Sequence, residues 1–184
     1  DKHQFYNDTF NDNFDAKQLA PDWVFRRVPQ PNTFSLNANK GHLRLYLKPE
    51  AFQPRKRYSA MGITQKESEF EWEAKMKFKP KKNLEEAGIS VYQKDINFVN
   101  LTVQKIGKEH FVKVTVKEKN SQVTAMTDSA KIPNAGVKAF KSKSLPNYAG
   151  EILLKIASKN GKYLYFFSTD GGASYEKLAE TPDN

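Results

Sequence analysis

The densest group of oxygen-bearing side chains lies in YNDTFNDNFDAKQLAPDW, Tyr6 to Trp23, where Asp8, Asp12 and Asp15 are interleaved with asparagines. Carboxylates and amides close together suit a hard cation, so Asp8 and Asp12 are candidate ligands for a structural Ca²⁺. The run lacks the glycine and closing glutamate of an EF-hand loop, and turn chemistry explains Asp and Asn equally well. A second set, Glu69, Glu71 and Glu73, falls on one side of an alternating segment. Two carboxylates so placed could act as the acid and nucleophile of a glycosidase, although exposed acid beside lysine is the more ordinary reading. His3, His42 and His110 are scattered, with no partner at metal-ligand spacing, and no serine sits in a nucleophile-elbow motif. Neither a phosphate loop nor a dinucleotide fingerprint is present, so the chain offers no self-contained catalytic constellation and no cofactor site.

Near the C-terminus, Tyr163 to Leu178 read YLYFFSTDGGASYEKL. The order Ser168-x-Asp170-x-Gly172-x-Ser174-Tyr175 resembles the Asp-box of sialidases. Such a box is a hairpin device in which the carboxylate accepts hydrogen bonds from the turn, glycine takes the positive φ and the aromatic ring packs beneath. A sialidase propeller would repeat the box over several blades, which the length barely permits and the absence of repeats denies.

The elements that must position these residues are strands. HLRLYL sets Leu43, Leu45 and Leu47 on one face; AGISVYQ does so with Ile89 and Val91; FVNLTVQ with Val99, Leu101 and Val103; EILLKIAS with Ile152, Leu154 and Ile156. Turn formers separate them at 37–41, 79–83, 105–109, 118–122 and 158–162, most of them read as hairpin connections. No apolar stripe at helical spacing occurs, and AKQLAPDW is at best one turn that Pro21 stops. The segment from Asp128 to Tyr148 is the longest irregular stretch expected. Many short strands in a chain of 184 residues predict one all-β domain, 1–184, folded as an antiparallel two-sheet β-sandwich.

The formal charge of +9 raises the question of nucleic acid or an acidic polymer. Lys75 and Lys77 alternate with apolar residues, as do Lys113 and Lys117, which is the pattern of a solvent-facing strand side. The denser clusters, Arg55 to Arg57, Lys79 to Lys82, and Lys138, Lys141 and Lys143, are read as loops. Without a groove-filling helix or a single-strand platform motif, a basic nucleic-acid binder is disfavoured. No apolar run approaches the roughly 20 residues of a membrane span. The absence of cysteine fits cytoplasm, periplasm and bacterial exterior alike.

Taken together, the motifs form an ordered series. FNDNF (Phe10 to Phe14), Leu19, Trp23, FRRVP and FSLNANKGHLRL are followed by Gln65, Phe70, FKP, EAGISVYQ, FVNL and GKYLYFFSTDGGASY. The series resembles the C-terminal concanavalin A-like domain of glycoside hydrolase family 43 enzymes over nearly the whole chain. That resemblance implies a jelly-roll β-sandwich carried beside a five-bladed catalytic propeller in bacterial β-xylosidases and α-L-arabinofuranosidases. The function it implies is a non-catalytic, carbohydrate-associated accessory domain, with hydrolase activity residing in the propeller. Its partners would be that propeller and a xylose- or arabinose-containing glycan, in a secreted, periplasmic or cell-surface bacterial protein. The family continues past the Asp-Gly hairpin for a further segment, so the expectation is either a domain truncated at its C-terminal end or a sandwich that closes differently, and no pocket-covering residue is carried over.

A sugar needs aromatic faces beside paired donors and acceptors. With Ile89, Val91, Val99, Leu101 and Val103 turned inward, Ser90, Tyr92, Phe98, Asn100 and Thr102 share the opposite face. Tyr92, Asn100 and Thr102, joined by Tyr163 and Tyr165 from the apolar strand YLYFF, are therefore the candidate carbohydrate-binding residues. A covering loop or partner domain over these aromatics is the competing reading. Trp23 and Trp72 are assigned to packing.

Overall fold

The computed structural model describes residues 9–26, 28–49, 58–94, 97–117 and 138–182, and contains no helix among them. They fall into two compact units, one from Thr9 to Gln65 and one from Lys66 to Pro182. In the first, two short ribbons form. β1 (Trp23–Val24) pairs antiparallel with β4 (Gly62–Ile63), and β2 (Phe34–Ser35) with β3 (Arg44–Leu45). Aromatic packing organises this unit: Trp23 meets Phe10 edge-on at 5.4 Å and stacks on Phe14 at 5.7 Å, while Phe25 stacks on Phe34 at 5.4 Å.

HLRLYL does not become a half-buried strand. Only Arg44–Leu45 pair, and Leu45, Tyr46 and Leu47 are all exposed. Alternation in sequence produces burial only where a second layer covers one face, and among the described residues none covers these side chains.

The second unit is the sandwich. One sheet runs β6 (Glu86–Lys94), β7 (Asn97–Ile106), β8 (Glu109–Lys117), β9 (Lys138–Ser144); the other runs β12 (Glu176–Pro182), β11 (Lys162–Ser168), β10 (Glu151–Lys159), β5 (Phe70–Lys77). Every pairing is antiparallel. The inner faces supply the expected residues. Ile89, Val99, Leu101, Val103, Val112 and Val114 from one sheet meet Ile152, Leu154, Ile156, Tyr165, Phe167 and Leu178 from the other, with Trp72, Met76 and Val91 packed at the margin. At roughly 25 cal/mol per Å² of apolar surface removed from water, this shared core is the main stabilising term. Strand β5 keeps strict alternation, with Glu71, Glu73, Lys75 and Lys77 outside and Phe70, Trp72, Ala74 and Met76 toward the core.

Turns at Gly107 and at Asn160-Gly161 close the β7–β8 and β10–β11 hairpins, with φ of 61°, 51° and 69°. The segment at 79–83 is instead part of a crossover from β5 to β6, which lie in different sheets. A second crossover, 145–150, joins β9 to β10, and the two meet: the Phe78 amide donates to the Gly150 carbonyl at 2.8 Å. There His110 Nε2 lies 3.0 Å from the Pro80 carbonyl and its ring 5.6 Å from that of Tyr148, so this histidine closes one end of the core. The cluster Lys138, Lys141 and Lys143, expected in a loop, lies in β9, and the stretch expected to be irregular from Asp128 to Tyr148 therefore contains a strand. Serine and lysine masked its period to the eye, because a strand's alternation is visible only when one of its sides is apolar. The clusters at 55–57 and the turn at 118–122 lie outside the described residues.

Candidate functional site

Strand pairing lays out the outer face of the β6–β9 sheet in rows. Tyr92, Phe98 and Lys117 form one row, Ser90, Asn100 and Thr115 the next, Gly88, Thr102, Lys113 and Ser142 a third, and Glu86, Gln104, Phe111 and Ser144 a fourth. In the aromatic row, the Tyr92 and Phe98 rings stack at 6.3 Å and Lys117 Nζ lies 6.0 Å from the Phe98 ring centre. In the charged rows, Glu86 is the hub. It accepts from Thr102 Oγ1 at 2.6 Å and Gln104 Nε2 at 3.0 Å, and pairs with Lys113 Nζ at 3.1 Å. Lys113 also donates to Gln104 Oε1 at 2.7 Å, and its side chain is only 13% exposed. Lys113 is thus not a solvent lysine, as alternation suggested, but half of an enclosed ion pair.

Between these rows lies a polar strip. Ser90 Oγ donates to the Val99 carbonyl at 2.9 Å, whereas Asn100 Oδ1 and Thr115 Oγ1 are buried without a hydrogen-bond partner among the described residues. A buried polar atom without a partner costs roughly 1–3 kcal/mol, so these two oxygens mark where this face lacks donors. Phe98, Thr102, Gln104 and Thr115 are buried, with Tyr92 and Asn100 half-buried, so the face is largely enclosed and does not form a broad open cleft.

The structure brings together three of the five expected sugar-contacting residues and separates the other two. Tyr92, Asn100 and Thr102 share this face. Tyr163 and Tyr165 belong to β11 in the opposite sheet. Tyr165 is fully buried between the sheets, its hydroxyl 2.8 Å from Thr181 Oγ1, and burial pushes its ionisation up to about 12. Tyr163 packs on the core and lies 6.3 Å from the Phe70 ring. Both tyrosines point inward, which removes them from the outer-face set. Glu86, Gln104, Lys113 and Thr115 also belong to this face: alternation with Ser90 and Thr102 already carries Glu86 and Gln104 there, whereas Lys113 and Thr115 enter it only through the register of β8 on β7.

Asp12, the described member of the expected calcium pair, is otherwise engaged. Its Oδ1 accepts from the Phe14 amide and its Oδ2 from Trp23 Nε1, both at 2.7 Å. The carboxylate ties the aromatic cluster together, with Phe14 at a φ of 57° beside it. Asp8 lies outside the described residues, and among the described residues no group of three or more metal-ligating side chains occurs.

The Ser168–Tyr175 hairpin has the construction its motif predicts. Asp170 Oδ1 accepts from Ser168 Oγ at 2.6 Å and the Ser174 amide at 3.0 Å, and Oδ2 accepts from Ser174 Oγ at 2.5 Å. These hydrogen bonds, led by those from the Ser168 and Ser174 hydroxyls, hold the Asp170 carboxyl well below the usual carboxylate range. Ser168 Oγ accepts in turn from the Gly172 amide at 2.9 Å. Gly171 and Gly172 adopt φ of 77° and 96°, which L side chains rarely take. The glycine pair is therefore a turn, with the Gly172 amide and the Asp170 carboxylate engaged within the hairpin.

Comparison with known proteins follows the same outline. The β-xylosidase C-terminal concanavalin A-like domain family matches residues 11–183. A non-reducing-end α-L-arabinofuranosidase of Bacteroides ovatus is 29% identical over 163 residues, covering 89% of this chain and 28% of the relative. A xylosidase/arabinosidase of Butyrivibrio fibrisolvens is 40% identical over 72 residues, 39% of this chain and 14% of that protein. Among solved structures, a xylan β-1,4-xylosidase from Bacillus halodurans superposes with a TM-score of 0.76 at 19% identity, over 93% of this chain and 30% of that one. That likeness speaks to the fold alone. The chain thus spans less than a third of the length of these relatives. With its sandwich topology and an ordered match from Asn11 to Asp183, it belongs to the C-terminal concanavalin A-like domain family of glycoside hydrolase family 43 enzymes.

Proposed function

We propose that this chain is a non-catalytic, glycan-associated accessory domain of a glycoside hydrolase acting on xylose- or arabinose-containing polysaccharide. Its two compact units serve as one domain beside a catalytic propeller that carries the hydrolase activity, in a secreted, periplasmic or cell-surface bacterial protein. The observation that carries the reading is the family match over 11–183, set against a relative of which the chain covers only 28%. An element recurring as less than a third of an arabinofuranosidase is suited to an auxiliary role.

Two further features support it. The strand carboxylates that could have formed a glycosidase pair hold the surface together: Glu69 accepts from the Asn160 amide at 3.0 Å, Glu71 faces Lys155 at 3.8 Å, and Glu73 accepts from Tyr175 at 2.7 Å. Exposed apolar side chains recur in the N-terminal unit, at Val24, Val28, Leu45, Tyr46 and Leu47, with Val28 87% exposed. Such a concentration suits a docked partner, here the catalytic domain.

Affinity electrophoresis in arabinoxylan, alongside hydrolysis of aryl xylosides and arabinosides by the isolated chain, tests the reading. Retardation by the polysaccharide without turnover is the expected result. Turnover by this chain alone would end the non-catalytic assignment, and migration unaffected by any plant polysaccharide would end independent glycan association.

A further inference from the structure

The outer face of the β5–β10–β11–β12 sheet gathers two rings around one ammonium. Lys155 on β10 stands opposite Glu73 on β5 and Phe166 on β11. Its Nζ lies 5.5 Å from the centre of the Phe166 ring and 4.5 Å from that of Tyr175. The nearest carboxylate oxygen, Glu71 Oε2, is 3.8 Å away, beyond hydrogen-bond distance. The ammonium therefore has no hydrogen-bond acceptor among the described residues, while its side chain is 21% exposed and that of Glu71 is 70% exposed.

Tyr175 is preset in this arrangement. The Asp170 hairpin delivers it back onto the sheet, and its hydroxyl donates to Glu73 Oε2 at 2.7 Å, across 102 residues of sequence. That carboxylate contact is also the main reason its ionisation is pushed up to about 12. Two tethers fix the ring before any ligand arrives, which lowers the ordering cost of binding.

We propose that Phe166, Tyr175, Lys155 and Glu71 form a contact site for a neutral polysaccharide chain. The inference rests on the reading of this domain as glycan-associated, and it places the contact on the sheet opposite Tyr92. A pyranose presents an apolar C–H face and a rim of hydroxyls. The rings take the first, Lys155 donates to a hydroxyl oxygen, and Glu71 accepts a hydroxyl proton. Glu71 and Glu73 offset the charge on Lys155, so the site favours an uncharged polyol over a uronate or phosphate polymer, although the whole chain carries +9.

The probe is soluble arabinoxylan in affinity electrophoresis, with xylohexaose in calorimetry. Lys155→Met and Tyr175→Ala should each weaken binding about tenfold or more, Glu71→Gln less, and Tyr175→Phe, which keeps the ring, least of all. Tyr92→Ala probes the competing face on the other sheet and should lower affinity far less than Tyr175→Ala. Near-ultraviolet circular dichroism and Tm check the fold of each variant, and Glu71→Gln alters an exposed side chain that leaves the core intact. Wild-type binding that survives Lys155→Met and Glu71→Gln but falls with Tyr92→Ala overturns this site and leaves the glycan reading standing. No binding by the wild type overturns both. Retention confined to carboxylate-bearing polymers and abolished by salt overturns the neutral ligand.

Discussion

Tyr165 shows how one residue's surroundings reverse its apparent role. On an outer face its ring would stack on a sugar; in the core it fills the space between β10 and β12, and its hydroxyl is satisfied by Thr181. Its ionisation rises from 10.0 to about 12, chiefly through burial, and Tyr148 behaves likewise. Folding thus favours the neutral phenol. The stabilisation is complete below pH 10.0 and is lost as pH climbs toward about 12. For Tyr165 alone that loss is on the order of 3 kcal/mol. Tyr165→Phe should cost about 1 kcal/mol at neutral pH through the lost hydrogen bond. It should also make the alkaline decline shallower, as read by denaturant unfolding across a pH series. An unaltered decline would show that Tyr165 does not carry it.

Strand β6 must approach β7 unusually closely at Gly88. A Cβ added there would lie 2.1 Å from the Leu101 carbonyl oxygen and 2.6 Å from the Thr102 Cα, both backbone atoms that cannot swing aside. Gly88→Ala should therefore destabilise by roughly 2–4 kcal/mol, a large value for one methyl group, with Tm as the readout. A change below about 0.5 kcal/mol would mean that the sheet relaxes around the site. The ion pair across the same element sets a second test. Lys113→Met strands Glu86 with its remaining Thr102 and Gln104 bonds and should cost roughly 3 kcal/mol, since partners of enclosed charges suffer when left alone. Replacing both, Lys113→Met with Glu86→Leu, should recover much of that loss; equal costs for the single and double variants would show that the pair is not coupled.

For the whole molecule, the N-terminal unit exposes apolar side chains that the isolated chain does not need exposed for its own stability. Leu45→Asp with Leu47→Asp should change the Tm of the isolated chain little, within about 0.5 kcal/mol per site. If the chain is carried beside a catalytic unit, as proposed, the same pair should release the domain from that unit in the longer protein, seen as faster limited proteolysis between them and a lower Tm. Equal proteolysis of variant and wild-type parent would remove this surface from the interface. The sandwich unit is built differently: its apolar side chains lie between two sheets, Lys143 of β9 and Glu176 of β12 join the edges of those sheets at 2.6 Å, and Lys177–Glu180 at 2.5 Å lies on an outer face. Lys177 and Lys162 together lower the Glu180 carboxyl to about 2.

Much of this architecture was readable from sequence because it depends on local period. Alternation identified the inward residues of β6, β7 and β10, and turn residues identified the hairpins at Gly107 and Gly161, since a pleated strand shows side chains to each face in turn whatever its partners. The Asp170 hairpin was legible for the same reason, all its bonds being made within Ser168 to Ser174. Pairing across distance was not legible. That Lys113 meets Glu86, that β11 lies in the sheet opposite Tyr92, and that Tyr175 reaches Glu73 follow from register and from which sheet each crossover joins. Sequence alone thus determined β6, β7 and β10, the hairpins at Gly107, Gly161 and Asp170, and the family series; tertiary structure decided which faces are covered and which side chains meet, because burial depends on the second layer and a strand's sequence does not carry its partner.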